Sequence, residues 1–261
     1  MSRHNQIFFV IVLLACAVGF YLVMDTKTSL PEVAPRTAFI GEPELPDFTR
    51  YTQVKEKKSA FFSFVLPLVE QENRRIAALR VELIRLQSKP DKLNRDEQDW
   101  LQELADFYRS SDDAADRRAV INDLLIKVDT IPPSLALSQS ANESAWGVSR
   151  FAVQGNNLFG QWCFKKGCGI VPASRASNAS HEVAKFSSPR HSVQSYIHNL
   201  NTHQAYHQLR VLRAVNRKSD KAITGQLLAK GLLKYSSRGQ AYIDELQQMI
   251  RVNKLEQYDA I

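Results

Sequence analysis

The stretch SLALSQSANESAWGVSRFAVQGNNLFG, residues 134–160, begins with the pattern of a helix and then loses it. Leu137, Ala141 and Ala145 lie in a row at i, i+4 spacing, which predicts the buried side of an α-helix. Prolines just before the stretch suit a first helical turn, where an absent N–H leaves no bond unmade. Gly147 is the type of residue that commonly ends a helix. We therefore expect a helix rich in Ser and Ala, closely packed, that runs into an irregular lobe.

Glu143 is the only acidic residue of this stretch and falls in the last turn of the predicted helix. The helix dipole disfavours a negative charge at that end, and burial against Trp146 or Phe159 would disfavour it as well. Both effects raise the pKa of a carboxyl group. A carboxyl group that stays protonated can donate a proton to the leaving oxygen of a glycosidic bond. We therefore expect Glu143 to act as a general acid.

Residues 155–188 are rich in Gly, Asn, Ser and aromatic residues and show no helical period, so they predict a small β-hairpin lobe. Its strands are expected near residues 158–164 and 182–186. The turn from Cys163 to Cys168 lies between them, and the short spacing of these cysteines around a glycine favours a disulfide. The alternative is a metal site formed by the two thiols and His181.

Helical periodicity flanks this region on both sides. An accessory helical region is predicted over residues 51–128, before the part that carries Glu143. The predicted helices lie at 59–87 (with Pro67 as a kink or a restart), 95–108, 113–128, 188–200, 204–215, 220–233 and 240–252. Residues 24–50 hold four of the ten prolines and no apolar period, which predicts a tether.

The N-terminus predicts export. The run IFFVIVLLACAVGFYLV, residues 7–23, carries no charge and is close to the ~20 residues that span a bilayer. It predicts a signal-anchor with Arg3 on the cytoplasmic side; a cleaved signal peptide and a lipid-modified Cys16 are the alternatives.

The basic residues are concentrated in the C-terminal half. Residues 144–261 carry 16 Lys and Arg against 6 acidic residues, whereas residues 1–143 carry 18 against 21. A basic surface favours an anionic partner, such as a nucleic acid, an acidic lipid or a cell-wall polymer. No recognition motif for nucleic acid is present, so we expect no nucleic-acid partner.

Two motifs carry a family resemblance: ESAWG at 143–147 and NNLFG at 156–160. Together they resemble the catalytic region of bacterial glucosaminidases with a lysozyme-like fold, a family that includes flagellar peptidoglycan hydrolases and autolysins. The resemblance implies a mainly α, lysozyme-like domain with a small β-hairpin lobe over residues 129–255, preceded here by accessory helices and the membrane-anchor helix.

The resemblance also implies roles for single residues. The family's general acid falls on Glu143, and its tyrosine falls on Tyr235 or, less directly, on Tyr242. The family often has a second acidic residue in the lobe, within a T-x-E pattern that is absent here. Glu182 is the only acidic residue between positions 144 and 219, so it is either this second carboxylate or an exposed strand residue.

Further polar and aromatic side chains are candidates for binding sugars. Trp146, Phe159 and Trp162 could stack on sugar faces or pack in the core. Asn156 and Asn157 could bind N-acetyl and hydroxyl groups or form a turn. Five histidines cluster in sequence between His181 and His207, including a pair at i, i+4, but without an H-E-x-x-H glutamate they predict no zinc site. We expect no metal and no cofactor.

These observations predict a peptidoglycan hydrolase of the endo-β-N-acetylglucosaminidase type, which cleaves β-1,4 bonds next to N-acetylglucosamine. Its partners would be glycan strands and, through residues 7–23, the inner membrane, so we expect it in the periplasm of the bacterial cell envelope. A lytic transglycosylase on the same substrate is one alternative. A cell-wall-binding protein that has lost turnover is the other.

Overall fold

The computed structural model describes residues 29–35, 41–110, 116–173 and 180–259. It confirms a mainly helical fold with one small sheet. The helices are α1 Val54–Gln87, α2 Arg95–Phe107, α3 Arg117–Lys127, α4 Pro133–Glu143, α5 Arg150–Gly155, α6 Pro189–Thr202, α7 His207–Lys218, α8 Gly225–Ala229 and α9 Gln240–Val252. The described residues from Pro31 onward form one compact unit. The predicted accessory helices α1–α3 therefore share a core with the helices that follow.

Helix α4 lies at the centre of this core. All its residues from Pro133 to Ala141 are buried, and it packs against α1, α8, α9 and the C-terminal turn Leu255–Tyr258. The prediction of a single buried side is therefore wrong, because this helix is covered all round. Ser and Ala side chains make such close packing feasible, since they occupy little volume.

The end of α4 also differs from the prediction. The helix ends at Glu143, and Ala145, Trp146 and Gly147 all have positive φ. Ala145, expected in the buried row, is exposed beyond the helix end. A turn of three left-handed residues cannot be read from helical spacing, because only the glycine signals it.

Helix α1 is longer than predicted and contains Pro67 without restarting. Buried apolar side chains recur along its length: Phe61, Val65, Val69, Ile76, Leu79 and Leu83. It packs against α3, α4 and α6. The predicted helix over 240–252 is present with these ends as α9. The other predicted helices are present with shifted ends, and the one over 220–233 shortens to α8, Gly225–Ala229.

A buried arginine fastens the accessory region to the rest of the fold. Arg213 of α7 is fully buried and donates hydrogen bonds to four main-chain carbonyls between Ile126 and Thr130. It also donates to the side chain of Asn201 at 2.7 Å. The carboxylate of Asp129 lies beside it and also accepts two hydrogen bonds from Arg217. These bonds hold the end of α3 against α6 and α7.

Parts of the predicted tether are packed rather than free. The indole N–H of Trp100 donates to the carbonyl of Pro31 at 2.7 Å, and Arg75 donates to that of Val33 at 2.5 Å. Val33 and Phe48 are only 2% and 1% exposed. The chain is therefore bound to the fold from Pro31 onward in its described parts.

The sheet has three short strands rather than the two of a hairpin. They are β1 Trp162–Cys163, β2 Gly169–Ile170 and β3 Glu182–Ala184, in the antiparallel order β1-β3-β2. The predicted disulfide Cys163–Cys168 is present and closes the turn between the two edge strands. The prediction missed β2, because a strand of two residues is too short to show alternation. It also missed α5.

The predicted anchor, residues 7–23, lies outside the described residues. Within the described ranges, none of the helices combines the length and the apolar character that crossing a bilayer requires.

Candidate active site

A cleft of about 600 Å³ opens between the β lobe and the helices, and Glu143 lies in its wall. The lobe and the NNLFG loop form one side. Helix α6 with the turn after it forms another, and the loop before α9 contributes a third. The lining residues are Arg109, Glu143, Phe159, Gly160, Gln161, Trp162, Phe164, Ser195, His198, Asn199, Thr202, His203, Tyr206, Tyr235, Ser236 and Ser237.

Glu143 is held at the last residue of α4 by the turn that follows. The hydroxyl of Ser144 donates to the carbonyl of Ser140 at 2.6 Å and accepts the N–H of Gly147 at 2.8 Å. Gly147 has φ +80°, and a Cβ there would meet the ring of Phe48 at 2.4 Å. The Ser and the Gly of the ESAWG motif are therefore required by the turn.

The carboxyl group of Glu143 is half-buried. Burial raises its pKa, while a hydrogen bond from Tyr242 and the charge of Arg238 oppose that rise without cancelling it. The direction agrees with the sequence-based expectation, and burial is the main cause. Glu143 is also the only acidic residue among the described residues that line the cleft.

Glu143 ends a chain of hydrogen bonds that begins in the core. The hydroxyl of Tyr196 donates to Oε1 of Gln139 at 2.7 Å. The amide of Gln139 donates to the hydroxyl oxygen of Tyr242 at 3.0 Å, and that hydroxyl donates to Oε1 of Glu143 at 2.8 Å. Because the hydroxyl oxygen of Tyr242 accepts the amide proton of Gln139, the hydroxyl's own proton points to the carboxylate of Glu143.

Sequence reasoning did not select Gln139 or Tyr196 as site residues. Gln139 lies four residues before Glu143, so the helical period alone places it on the same side of α4. That spacing was the available signal. Nothing in the sequence indicates Tyr196, because its contact with Gln139 joins two helices 57 residues apart along the chain.

The two candidate tyrosines stack on each other but differ in their contacts. Tyr242 is buried and bonds Glu143 directly, although it does not line the cleft. Tyr235 lines the cleft and donates its hydroxyl proton to the carbonyl of Phe159 at 3.0 Å. Their rings are nearly parallel, with centroids 5.5 Å apart. The tyrosine in contact with the carboxyl group is therefore Tyr242, which the resemblance had placed second.

The NNLFG loop passes close to the carboxyl group. Gly160 has φ +61°, and a Cβ at this position would lie 3.2 Å from Oε2 of Glu143. Phe159 is buried and stacks on Tyr196 with ring centroids 3.8 Å apart. Gly160 is thus needed both for the backbone and for the space beside the carboxyl oxygen.

The two asparagines of this loop hold its shape. Asn156 has φ 51° and donates to the carbonyl of Phe186. Asn157 is buried, donates to two carbonyls and accepts the N–H groups of Phe159 and Gln161. Neither residue lines the cleft. Of their two predicted roles, the structure supports the turn.

Trp146 faces the accessory helix rather than the cleft. Its ring packs edge-on against Phe61 and Phe62 at 5.8 and 5.3 Å, and Lys58 lies over it. The aromatic side chains available to a sugar are instead Trp162 and Phe164, which line the cleft and are 59% and 73% exposed.

Glu182 lies in the lobe, away from the cleft. It is 5% exposed, and its two oxygens accept the N–H groups of Gly167 and Gly169 at 3.0 and 2.8 Å. The expectation of an exposed strand residue is therefore wrong, and the carboxylate does not line the cleft as a second catalytic group would. Cys163, Cys168 and Glu182 lie close enough to hold a metal ion, but the disulfide occupies both sulfur atoms.

Comparison with known proteins agrees with the two motifs. Residues 120–255 match the glucosaminidase family, described as mannosyl-glycoprotein endo-beta-N-acetylglucosaminidase. The chain is 35% identical over 210 residues to Protein bax of Escherichia coli (strain K12), which covers 80% of this chain and 74% of that protein. No solved structure matches. Helices α1 and α2 precede the segment that matches the family.

Proposed function

The chain belongs to the glucosaminidase family, and on this premise we propose that it hydrolyses β-1,4 bonds next to N-acetylglucosamine in peptidoglycan. Family membership supports a glycosidase related to peptidoglycan. The proposal adds the endo-β-N-acetylglucosaminidase type and Glu143 as the general acid. The observation that carries it is a half-buried carboxyl group in a cleft lined by exposed aromatic side chains, with its pKa raised by burial.

In the proposed reaction, Glu143 gives its proton to the oxygen of the leaving sugar as the bond to the anomeric carbon breaks. The described lining offers no second carboxylate to stabilise the positive charge on that carbon. The acetamido oxygen of the substrate can bond to the anomeric carbon instead, as in substrate-assisted glycosidases. Water then attacks the anomeric carbon and opens the ring that the acetamido oxygen had closed. The proton lost by this water returns to Glu143.

Tyr242 positions the acid rather than the sugar. By donating to Oε1, it leaves Oε2 as the oxygen that faces the NNLFG loop beside Gly160. Trp162 and Phe164 would stack on sugar faces, since an aromatic ring matches the apolar face of a pyranose. Their exposure on the lobe supports this role.

A single carboxyl group in the cleft also favours a second candidate, a lytic transglycosylase. That reaction uses one acid and no water, and it leaves anhydro-muramyl ends rather than reducing ends. The third candidate, a wall-binding protein without turnover, would bind peptidoglycan and release no product.

We also propose a location in the periplasm of a bacterial cell envelope, with residues 7–23 as an anchor in the inner membrane. The uncharged run of 17 residues supports the anchor. The Cys163–Cys168 disulfide supports an oxidising compartment.

The test is digestion of purified peptidoglycan by the full chain in detergent, with mass spectrometry of the products. We expect reducing ends on N-acetylglucosamine. Glu143→Gln keeps the shape but cannot donate a proton, so it should lower the rate about 10²–10⁴-fold. Glu182→Gln is the matched control, because it removes a carboxylate outside the cleft. Wild-type turnover by Glu143→Gln would refute the assignment, and anhydro-muramyl products would identify the transglycosylase.

A further inference from the structure

One residue that lines the cleft comes from outside the segment that matches the family. Arg109, just past the end of α2, lines the same cleft as Glu143, whereas the family match begins at residue 120. The accessory region therefore does more than support the core, because it contributes one side chain to the lining of the cleft.

The end of α2 is fixed in place against α6. Nε2 of His198 lies 2.8 Å from the carbonyl of Phe107, and its ring lies 4.6 Å from that of Phe107. On the other side, the ammonium group of Lys127 donates to the carbonyl of Arg109 at 2.7 Å. The backbone that carries the Arg109 side chain is thus held from α3 and from α6.

The backbone turn does not explain why an arginine stands here. Arg109 has φ 53°, a conformation at helix ends that glycine adopts at lower cost. Its side chain is exposed, and within the described residues the guanidinium makes no hydrogen bond and no ion pair. The side chain is therefore available to a ligand in the cleft that it lines.

Arg109 also changes the electrostatics of the cleft. It and Glu143 are the two residues with full charges among the described lining, and polar side chains of α6 lie in the same wall. N-acetylglucosamine has no charge and needs no cation. Muramic acid carries a carboxylate, either on its lactyl group or on the peptide attached there, and an arginine binds carboxylates through two parallel N–H groups.

We propose that Arg109 binds a carboxylate carried by the muramic acid of the substrate, so that the accessory helices select peptidoglycan over uncharged N-acetylglucosamine polymers. This rests on the proposed function, because it assigns a substrate feature to the same cleft. Arg109 is a specificity residue and takes no part in proton transfer.

The test compares Arg109→Gly with wild type on three ligands. Two are substrates: glycan strands that keep their peptides, and strands stripped by an amidase, which bear the free lactyl carboxylate. The third is chitotetraose, which has no carboxylate and whose Kd is measured directly. Lys254→Gly is the matched control, because Lys254 is exposed, has φ 54° and lies outside the cleft.

Arg109→Gly should raise KM about five- to tenfold on carboxylate-bearing strands, the scale of one partly exposed charge-assisted bond. The Kd for chitotetraose should not rise, because this ligand has no carboxylate, and the thermal stability should not fall, because glycine suits the backbone. Arg109→Lys should restore part of the loss. The arm with the larger loss identifies the lactyl or the peptide carboxylate.

An equal loss for chitotetraose, an equal effect of Lys254→Gly, or unchanged KM on both kinds of strand would each overturn the proposal. If the wild type cleaves neither kind of strand, the proposed function fails instead. The two failures are therefore distinguishable.

Discussion

Tyr242→Phe removes one oxygen that serves two partners. The hydroxyl donates to Oε1 of Glu143 at 2.8 Å and accepts from the amide of Gln139 at 3.0 Å. The phenyl ring keeps the shape and the stacking on Tyr235. The variant therefore isolates the hydrogen bonds from the packing.

Its effect on folding follows from Gln139, which is fully buried. Without the hydroxyl, the amide of Gln139 loses its acceptor where water cannot replace it, which costs about 1–3 kcal/mol. For a unit of this size, each kcal/mol lowers Tm by about 2–4 °C. Differential scanning calorimetry at fixed pH measures this loss.

The variant should also change the pH dependence of activity. The hydroxyl of Tyr242 stabilises the charged carboxylate, so it lowers the pKa of Glu143 against the larger effect of burial. Removing it raises the pKa of Glu143 further. A general acid works only while protonated, so activity falls as the pH rises through this pKa. The alkaline limb of kcat/KM should therefore move to higher pH in Tyr242→Phe.

Tyr235→Phe is the control for this experiment, because it removes the hydroxyl of the stacked neighbour, which donates to a main-chain carbonyl instead. Its alkaline limb should stay where it is in wild type. The reasoning is refuted if the limb in Tyr242→Phe stays in place or moves to lower pH, or if both variants shift it equally.

Three further predictions concern the lobe and the loop beside the acid. Gly160 has φ +61°, and a Cβ there would lie only 3.2 Å from Oε2 of the acid. Gly160→Ala should therefore lower stability by about 1–2 kcal/mol and kcat at least about tenfold. Thermal melting and steady-state kinetics measure these effects, and a wild-type kcat would contradict the prediction. Tyr235→Phe should reduce kcat/KM more than Glu182→Gln, since Tyr235 lines the cleft and Glu182 bonds the cysteine loop; the reverse order would favour a two-carboxylate mechanism. Alkylation should modify Cys163 and Cys168 only after reduction, which should loosen the lobe by about 2 kcal/mol without unfolding the protein; labelling of both thiols in unreduced protein would disprove the bond.

The sequence predicted the parts of the site that depend on local chemistry. Glu143 was identified because an isolated carboxylate at a helix end is a local feature, and the disulfide because two cysteines flank a short turn. The helices were found from their 3.6-residue period, with errors mainly at their ends. The family resemblance was carried by two short motifs whose glycines, Gly147 and Gly160, each have a steric reason in the structure.

The parts that were missed depend on contacts distant in sequence. Tyr242 was ranked below Tyr235 because the resemblance sets the family's tyrosine before a closing helix, where Tyr235 lies. Only the fold shows that the hydroxyl of Tyr242 is the one that reaches Glu143. Glu182 was expected to be exposed because its partners are main-chain N–H groups, which leave no mark on sequence. Arg109 was not selected, since nothing local connects it with a site formed by another part of the chain.

The packing of residues 31–33 against the fold would limit how far the folded unit can lie from the proposed membrane anchor. A free tether over residues 24–50 would extend about 90 Å when stretched. Because Pro31 is already bound to Trp100, only residues 24–30 link the proposed anchor to the folded unit. Fully stretched, these residues span about 25 Å. If the protein is anchored and cuts glycan strands as proposed, a link of this length would limit it to the strands nearest the membrane, and the distance between membrane and wall would decide which strands it can cut.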